Sequence, residues 1–412
     1  MPFHLMWVTD GPFSGTGFCE ESRHILFRLA QKGFKISWLG LQHIGSKVVL
    51  KDEMFPDLPQ EGASIQVLSN FGYDPFGASG LLYWYPKEVP DLVMFMGDSN
   101  RTGAYGGVCS RIPFPFGIYV TLDGLPIHPI MVKDLDSKLF DFVVTMTQWA
   151  MLEYAKVGIQ SVPIHHGTNC EFWKPKEDEK LELRKKYHIP EGAMVYISWD
   201  VNQYRKRLDA LLRCWKRFKP ETKNAYLILN TDWKCELGWD LETLITQYNI
   251  PRKTILSPEQ LTGFPKKIQV AEPISELREI AMLGDIYVTT SGGEGFGKCS
   301  KDAQACGMPV IATEYSAIPE VVEDGGVIVP ITGTIRLHDK VKAVELGIVD
   351  ESKFTEAMLD LYRHSAEREG LAKLALVSAA RFNYDSQIIP IWEKFLNGIN
   401  PDEVLAKKVL KR

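Results

Sequence analysis

The stretch from Thr289 to Pro309, T-T-S-G-G-E-G-F-G-K-C-S-K-D-A-Q-A-C-G-M-P, constrains the fold of this chain more than any other. β-Branched and aromatic residues from Ile286 to Thr290 predict a strand that runs into a turn carrying Gly292, Gly293, Gly295 and Gly297. Cys299, Ala303 and Cys306 then recur at helical spacing until Gly307 and Pro309 stop the helix. A strand, a glycine turn and a helix in that order leave the first N–H groups of the helix unpaired, and the glycines let a ligand approach the backbone closely. Those groups and the positive end of the helix dipole suit a phosphate. Glu294 lies in the turn and Asp302 about one and a half turns into the helix. One carboxylate can therefore face a reacting group while the other reaches a ribose hydroxyl.

The rest of the chain supports an α/β class. Phe3 to Val8, Phe34 to Leu41, Asp91 to Met96, Gly117 to Thr121, Phe140 to Thr145 and Val162 to His165 are strand candidates, with a helix after Gly17 and another at Gln148 to Val157. The charged, proline-bounded stretch Glu171 to Pro190 reads as a domain boundary. Alternation restarts at Met194 to Ser198, and the chain becomes mostly helical from Asp350. Strands alternating with helices need right-handed crossovers and give parallel sheets. The region from Ile44 to Pro90 matches no usable motif. The aromatics there, Phe71 to Phe76 and Leu82 to Pro86, together with Phe114 to Phe116, suit core packing, an acceptor groove or a peripheral membrane contact.

Glu294-Gly295-Phe296-Gly297, the seven residues separating Glu294 from Asp302, and Gly307-Met308-Pro309-Val310 together resemble the nucleotide-sugar site of GT-B glycosyltransferases of family 4. Glu314-Tyr315-Ser316-Ala317-Ile318-Pro319-Glu320-Val321-Val322 resembles the P-E-V-V element that follows this signature in the family. The resemblance implies a GT-B fold, two Rossmann-like α/β domains facing a cleft, with the closing helices crossing back. Domains at 1–175 for the acceptor and 176–381 for the nucleotide sugar follow, with 382–412 packing on the first. It also implies that Glu294 lies beside the transferred sugar and that Asp302, shorter by a methylene than the family's Glu, binds the ribose. Gly295, Phe296 and Gly297 join the donor site by the same carry-over.

Asn202 to Asp209 puts Arg205, Lys206 and Arg207 at a helix start, where cations oppose the dipole unless an anion lies between them. The stretch resembles the family's N-x-x-R-K element, which maps the diphosphate-holding Lys to Lys206. The family's earlier Arg is missing from Ser198-Trp199-Asp200, so Arg205 or Arg207 must substitute. Gly15-Thr16-Gly17 opens the first helix at the end of the first strand, where α/β sheets bind ligands. Glu20 stands where a dinucleotide fingerprint wants a third glycine, so the loop is expected to face the donor phosphate. Asp123 replaces the His that many family members carry near the sugar, and contact with a sugar or acceptor hydroxyl and simple turn capping both stay open.

Other features narrow the function. With 47 basic and 52 acidic residues the net charge is -5, which is no nucleic-acid footprint. Seven scattered Cys form no C-x-x-C, which reads as reduced thiols in a cytoplasmic setting. No run of roughly 18 apolar residues marks a membrane span. Adjacent His165 and His166 point to opposite faces of a strand and make no metal site, and Asp134-Leu135-Asp136 reads as charged surface. The expected function is retaining transfer of a sugar from a nucleoside diphosphate sugar to a glycan or lipid-linked acceptor, without cofactor or metal. Catalytic roles fall to Glu294, Lys206 and Asp123. A noncatalytic nucleotide-sugar-binding scaffold is the alternative, favoured by Asp302, Asp123 and the missing Arg.

Overall fold

A computed structural model describes residues 2–71, 74–105, 108, 114–127, 129, 132–133, 140–266, 273–336 and 344–409. Asp134 to Asp136 lie outside them. The first sheet has the order β3-β4-β2-β1-β5-β6-β7-β8. Its strands are β1 His4–Thr9, β2 Lys35–Gly40, β3 Val48–Lys51, β4 Ser64–Ser69, β5 Leu92–Asp98, β6 Phe116–Thr121, β7 Phe142–Thr145 and β8 Val162–Pro163. Only β3 runs antiparallel to its neighbour. All six residues of β1 are buried, as a central parallel strand covered on both faces requires.

The second sheet, β11-β10-β9-β12-β13-β14, is wholly parallel. It comprises β9 Met194–Ser198, β10 Ala225–Leu229, β11 Ile255–Leu256, β12 Ile286–Thr289, β13 Val310–Thr313 and β14 Gly326–Val329. A hairpin, β15 Ile331–Arg336 and β16 Glu345–Val349, follows. Among the described residues no helix is long and apolar enough to cross a membrane.

The stretch from Ile44 to Pro90 holds β3, β4 and the helix Ala78–Glu88. Its aromatics divide by face. Trp84 Nε1 donates to Ser69 O at 2.9 Å and Tyr85 packs on Phe114 at 4.8 Å, whereas Tyr83 is exposed beneath the Lys87 ammonium. The closing helix Ile389–Asn397 crosses back onto the first sheet, where Trp392 lies fully buried 5.5 Å from Trp7 and 5.1 Å from Tyr119. Phe382, Tyr384, Ile388 and Leu396 join the same core.

The two crossings between the halves pair with each other. Thr168 N donates to Phe382 O at 2.9 Å and Tyr384 N to Thr168 O at 3.3 Å. Gly167 is required here, because a Cβ on it would stand 2.3 Å from the Tyr384 ring. Glu21, from the helix Gly17–Gln31, is fully buried against both crossings, bonded to Gly167 N at 3.2 Å and to the Tyr384 hydroxyl at 2.6 Å. Burial pushes its carboxyl up to about 8, against the pull of Lys298 and these two bonds.

This raised value fixes the sign of a pH effect. Unfolded, the group loses its proton near 4.5, so the folded state binds more protons between there and about 8. Wild-type stability therefore falls as pH rises through that window, and levels off above it. Glu21→Gln mimics the protonated carboxyl and lacks the loss. In thermal melts, its Tm relative to wild type is expected to climb from pH 5 to pH 8. A constant difference would contradict a protonated Glu21.

Candidate functional site

The carboxyl ends of β9 and β12 place the groups that matter. Beyond β9 the chain carries Asp200 and then a tight turn, Tyr204–Lys206. Beyond β12 it enters the glycine turn, which ends at Gly297 in the left-handed region, φ 91°, as the cap of the helix Lys298–Ala305. Two hydrogen bonds lock the turns together: Gly292 N donates to Arg205 O at 2.8 Å, and the Arg205 guanidinium donates to Gly293 O at 2.8 Å.

Glu294 sits at the centre of this arrangement. Its Oε1 lies 2.5 Å from Lys206 Nζ and accepts from Ser291 Oγ, while Oε2 lies 2.8 Å from Arg205. Lys206 Nζ also contacts Asp200 Oδ1 at 2.7 Å, and Asp200 Oδ2 accepts from Thr289 Oγ1 at 2.6 Å. Glu294, Lys206 and Asp200 are all buried. Burial opposes charge on Glu294 and Lys206, yet the opposite charges win: Arg205 and Lys206 hold the Glu294 carboxyl well below the usual range. Asp200 and Glu294 in turn raise Lys206. Two cations facing two carboxylates leave this quartet formally neutral. Arg205 Nε is buried with no partner among the described residues, so its fork holds an unused donor there.

The first half closes over the glycines. A Cβ on Gly293 would stand 2.1 Å from Asp123 O, and one on Gly295 would stand 2.6 Å from Thr121 Cβ and 3.1 Å from Asp123 Oδ1. Asp123 thus faces the signature turn directly, and glycine is needed because the opposing backbone leaves no room for a side chain.

The other sequence candidates scatter. Arg207 caps the helix Leu208–Phe218 at φ 51° and pairs with Asp209 at 3.1 Å, apart from the quartet. Phe296 is buried among His165, His166 and Phe382, a packing residue of the junction. Gly15 takes φ 68°, and a Cβ on Gly17 would meet nothing within 4 Å, so crowding does not demand glycine there. Thr16 caps the helix and donates to buried Asp10 at 2.8 Å. Asp302 is buried with its Oδ1 on Thr168 Oγ1 at 2.6 Å and on Lys298 Nζ at 3.1 Å. Lys298 also reaches Glu20 at 3.1 Å, which ties the signature helix to the first half. His165 meets Glu320 at 2.6 Å, and His166 is buried beside Tyr119.

Sequence reading missed Asp200, Ser291, Lys298 and Thr168. Asp200 left a trace, since it stands in the stretch where the family's Arg is missing. The other three are ordinary residues whose roles depend on tertiary contacts.

Residues 194–363 match the family model for Glycosyl transferases group 1. Among curated proteins, D-inositol 3-phosphate glycosyltransferase of Mycobacterium leprae is 28% identical over 137 residues, 33% of this chain and 26% of that protein. O-antigen chain mannosyltransferase B of Escherichia coli is 26% identical over 151 residues, 36% of each chain. The matches thus span only about a quarter to a third of these relatives' lengths. Among solved structures, sucrose-phosphate synthase of Thermosynechococcus elongatus superposes with a TM-score of 0.71 at 15% identity, over 96% of this chain and 98% of its own. Anabaena HepE in complex with UDP-glucose gives 0.68 at 14%, over 96% and 100%. The signature turn lies inside the matched region, and the fold likeness covers both sheets. Residues 194–363 are accordingly a Glycosyl transferases group 1 domain, carried in a chain with the two-sheet GT-B fold.

Proposed function

We propose that this chain is a retaining glycosyltransferase that moves a sugar from a nucleoside diphosphate sugar to a glycan or lipid-linked acceptor in the cytoplasm, in the manner of family 4. The observation that carries the reading is Glu294, shared by Lys206 and Arg205 at a helix N-terminus with Asp123 opposite. Such a site meets the needs of a leaving diphosphate: fixed cations, backbone N–H groups and little water, arranged before the reaction starts. Arg205, with its unused Nε, and Lys206 bind the diphosphate. Glu294 then exchanges part of its ion pairing for a sugar hydroxyl and orients the ring, while Asp123 meets the sugar or the acceptor from the other half. These cations and the helix N-terminus supply the positive charge that the leaving group needs, so the reading requires no metal or cofactor. The names of the relatives and the UDP-glucose complex of HepE support the donor class. A noncatalytic nucleotide-sugar binder is the second reading, favoured by Asp200, which already neutralises Lys206.

The assignment separates two substitutions. Arg205→Ala is expected to weaken UDP by roughly 1.5 to 3 kcal/mol, the value of a charged hydrogen bond. Glu294→Gln removes the carboxylate that competes with the diphosphate for both cations, so it should bind UDP as tightly as wild type or tighter while losing turnover. Calorimetry with UDP and a donor-consumption assay check both. Equal losses of UDP affinity in the two variants would overturn the roles.

For Asp302, Oδ1 is committed at the junction, and Oδ2 takes neither of those contacts. We assign the ribose to Oδ2. Asp302→Ala should then lose affinity for UDP but little for its 2'-deoxy and 3'-deoxy analogues. An unchanged ribose preference across titrations of wild type and variant would confine Asp302 to the junction.

A further inference from the structure

The segment after β13 touches the opposite half of the molecule at two points and Glu294 at a third. Ser316, held at φ 53°, accepts from Glu294 N at 2.8 Å and donates to Glu294 O at 3.1 Å. Beside it, Tyr315 OH donates to Glu345 O at 2.9 Å and accepts from Leu125 N at 3.4 Å, two residues beyond Asp123. One turn further, Glu320 in the helix Ile318–Val322 reaches across to the helix Gln148–Lys156 of the first half.

The contact at Glu320 has unusual completeness. The side chain of Thr147 caps that helix by accepting from Ala150 N, which leaves the amides of Gln148 and Trp149 without an intrahelical partner. Both donate to Glu320, Gln148 N to Oε1 and Trp149 N to Oε2, each at 2.7 Å. His165 Nε2 lies 2.6 Å from Oε1. A carboxylate from one half thus satisfies two orphan amides and an imidazole of the other, at the positive end of a helix dipole. Although burial pushes the Glu320 carboxyl up, His165 and the two amides outweigh it and hold the group below its usual range. The ionised form is the one this contact stabilises.

We propose that Glu320 is a positioning residue, an interdomain clasp that sets the separation of Asp123 from Glu294 by capping a helix of the opposite half. The same short segment grips the backbone of Glu294 through Ser316, so an error in the clasp is transmitted to the signature turn. Its consequence for turnover rests on the transferase reading above, whereas the clasp itself does not. Glu320 touches no group of the Glu294, Lys206, Arg205 and Asp200 quartet, so binding of a bare nucleoside diphosphate should not depend on it.

The test compares full-length wild type with Glu320→Ala and the isosteric Glu320→Gln. In Glu320→Ala, hydrogen exchange should accelerate at the Gln148 and Trp149 amides, and small-angle scattering should give a larger radius of gyration. The UDP dissociation constant should stay within about two-fold of wild type while kcat falls at least ten-fold, with Glu320→Gln intermediate in both exchange and kcat. Unchanged exchange and radius in Glu320→Ala would overturn the clasp. So would a loss of UDP affinity equal to the loss of kcat, because the donor site itself would then have been disturbed. If wild type consumes no nucleoside diphosphate sugar, the transferase reading fails, and exchange and scattering still decide the clasp.

Discussion

The two halves of this protein meet where there is no room for a side chain. Gly293 and Gly295 press against Thr121 and Asp123, and a Cβ on Gly124 would stand 2.6 Å from Glu345 O in the hairpin. These approaches bring the backbone of one sheet's loops to that of the other, and every group of the candidate site is placed relative to them. Substituting any of these glycines with alanine would force the halves apart rather than merely strain a turn.

Around that contact the chain has gathered an unusual density of buried charge. The quartet at Glu294 is neutral as a unit, and a second cluster links Lys298 to Glu20 and Asp302 at the junction. Buried ion pairs of this kind add little net stability, because desolvation offsets the attraction, but removing one partner strands the other at a cost of about 3 to 5 kcal/mol. They are therefore better understood as devices for geometry. The quartet keeps two cations poised at a helix N-terminus, and the Lys298 cluster holds the signature helix against the first half.

Much of this was legible in the sequence. Met194–Ser198 and Ala225–Leu229 announce themselves as short β-rich runs between turn signals, and the glycine turn with its helix is a local pattern. Edge elements were harder. β3 has alternating exposure at a sheet edge, and β11 pairs through only two residues, too little pattern to read. Within the site, Glu294, Lys206 and Arg205 were named from motif and charge, and Asp123 from its place after a strand. Phe296 and Arg207 carried the right residue types at the right spacing, yet the first turned into the junction core and the second onto Asp209. Side-chain direction there depends on partners more than a hundred residues away or on a local capping choice. Glu320 shows the same limit, since its motif was visible but its contact with Gln148 and Trp149 was not.

The central proposal is that the site formed by Glu294, Lys206 and Arg205, with Asp123 opposite, cleaves a nucleoside diphosphate sugar with retention. Proton NMR of the purified protein with α-linked UDP-, GDP- and ADP-sugars, followed from the first minutes, tests it most directly, because slow transfer to water needs no knowledge of the acceptor. The account predicts that one donor is consumed, with the free sugar appearing first as its α anomer alongside the nucleoside diphosphate. The β anomer appearing first would contradict retention, and no donor consumed would contradict transfer.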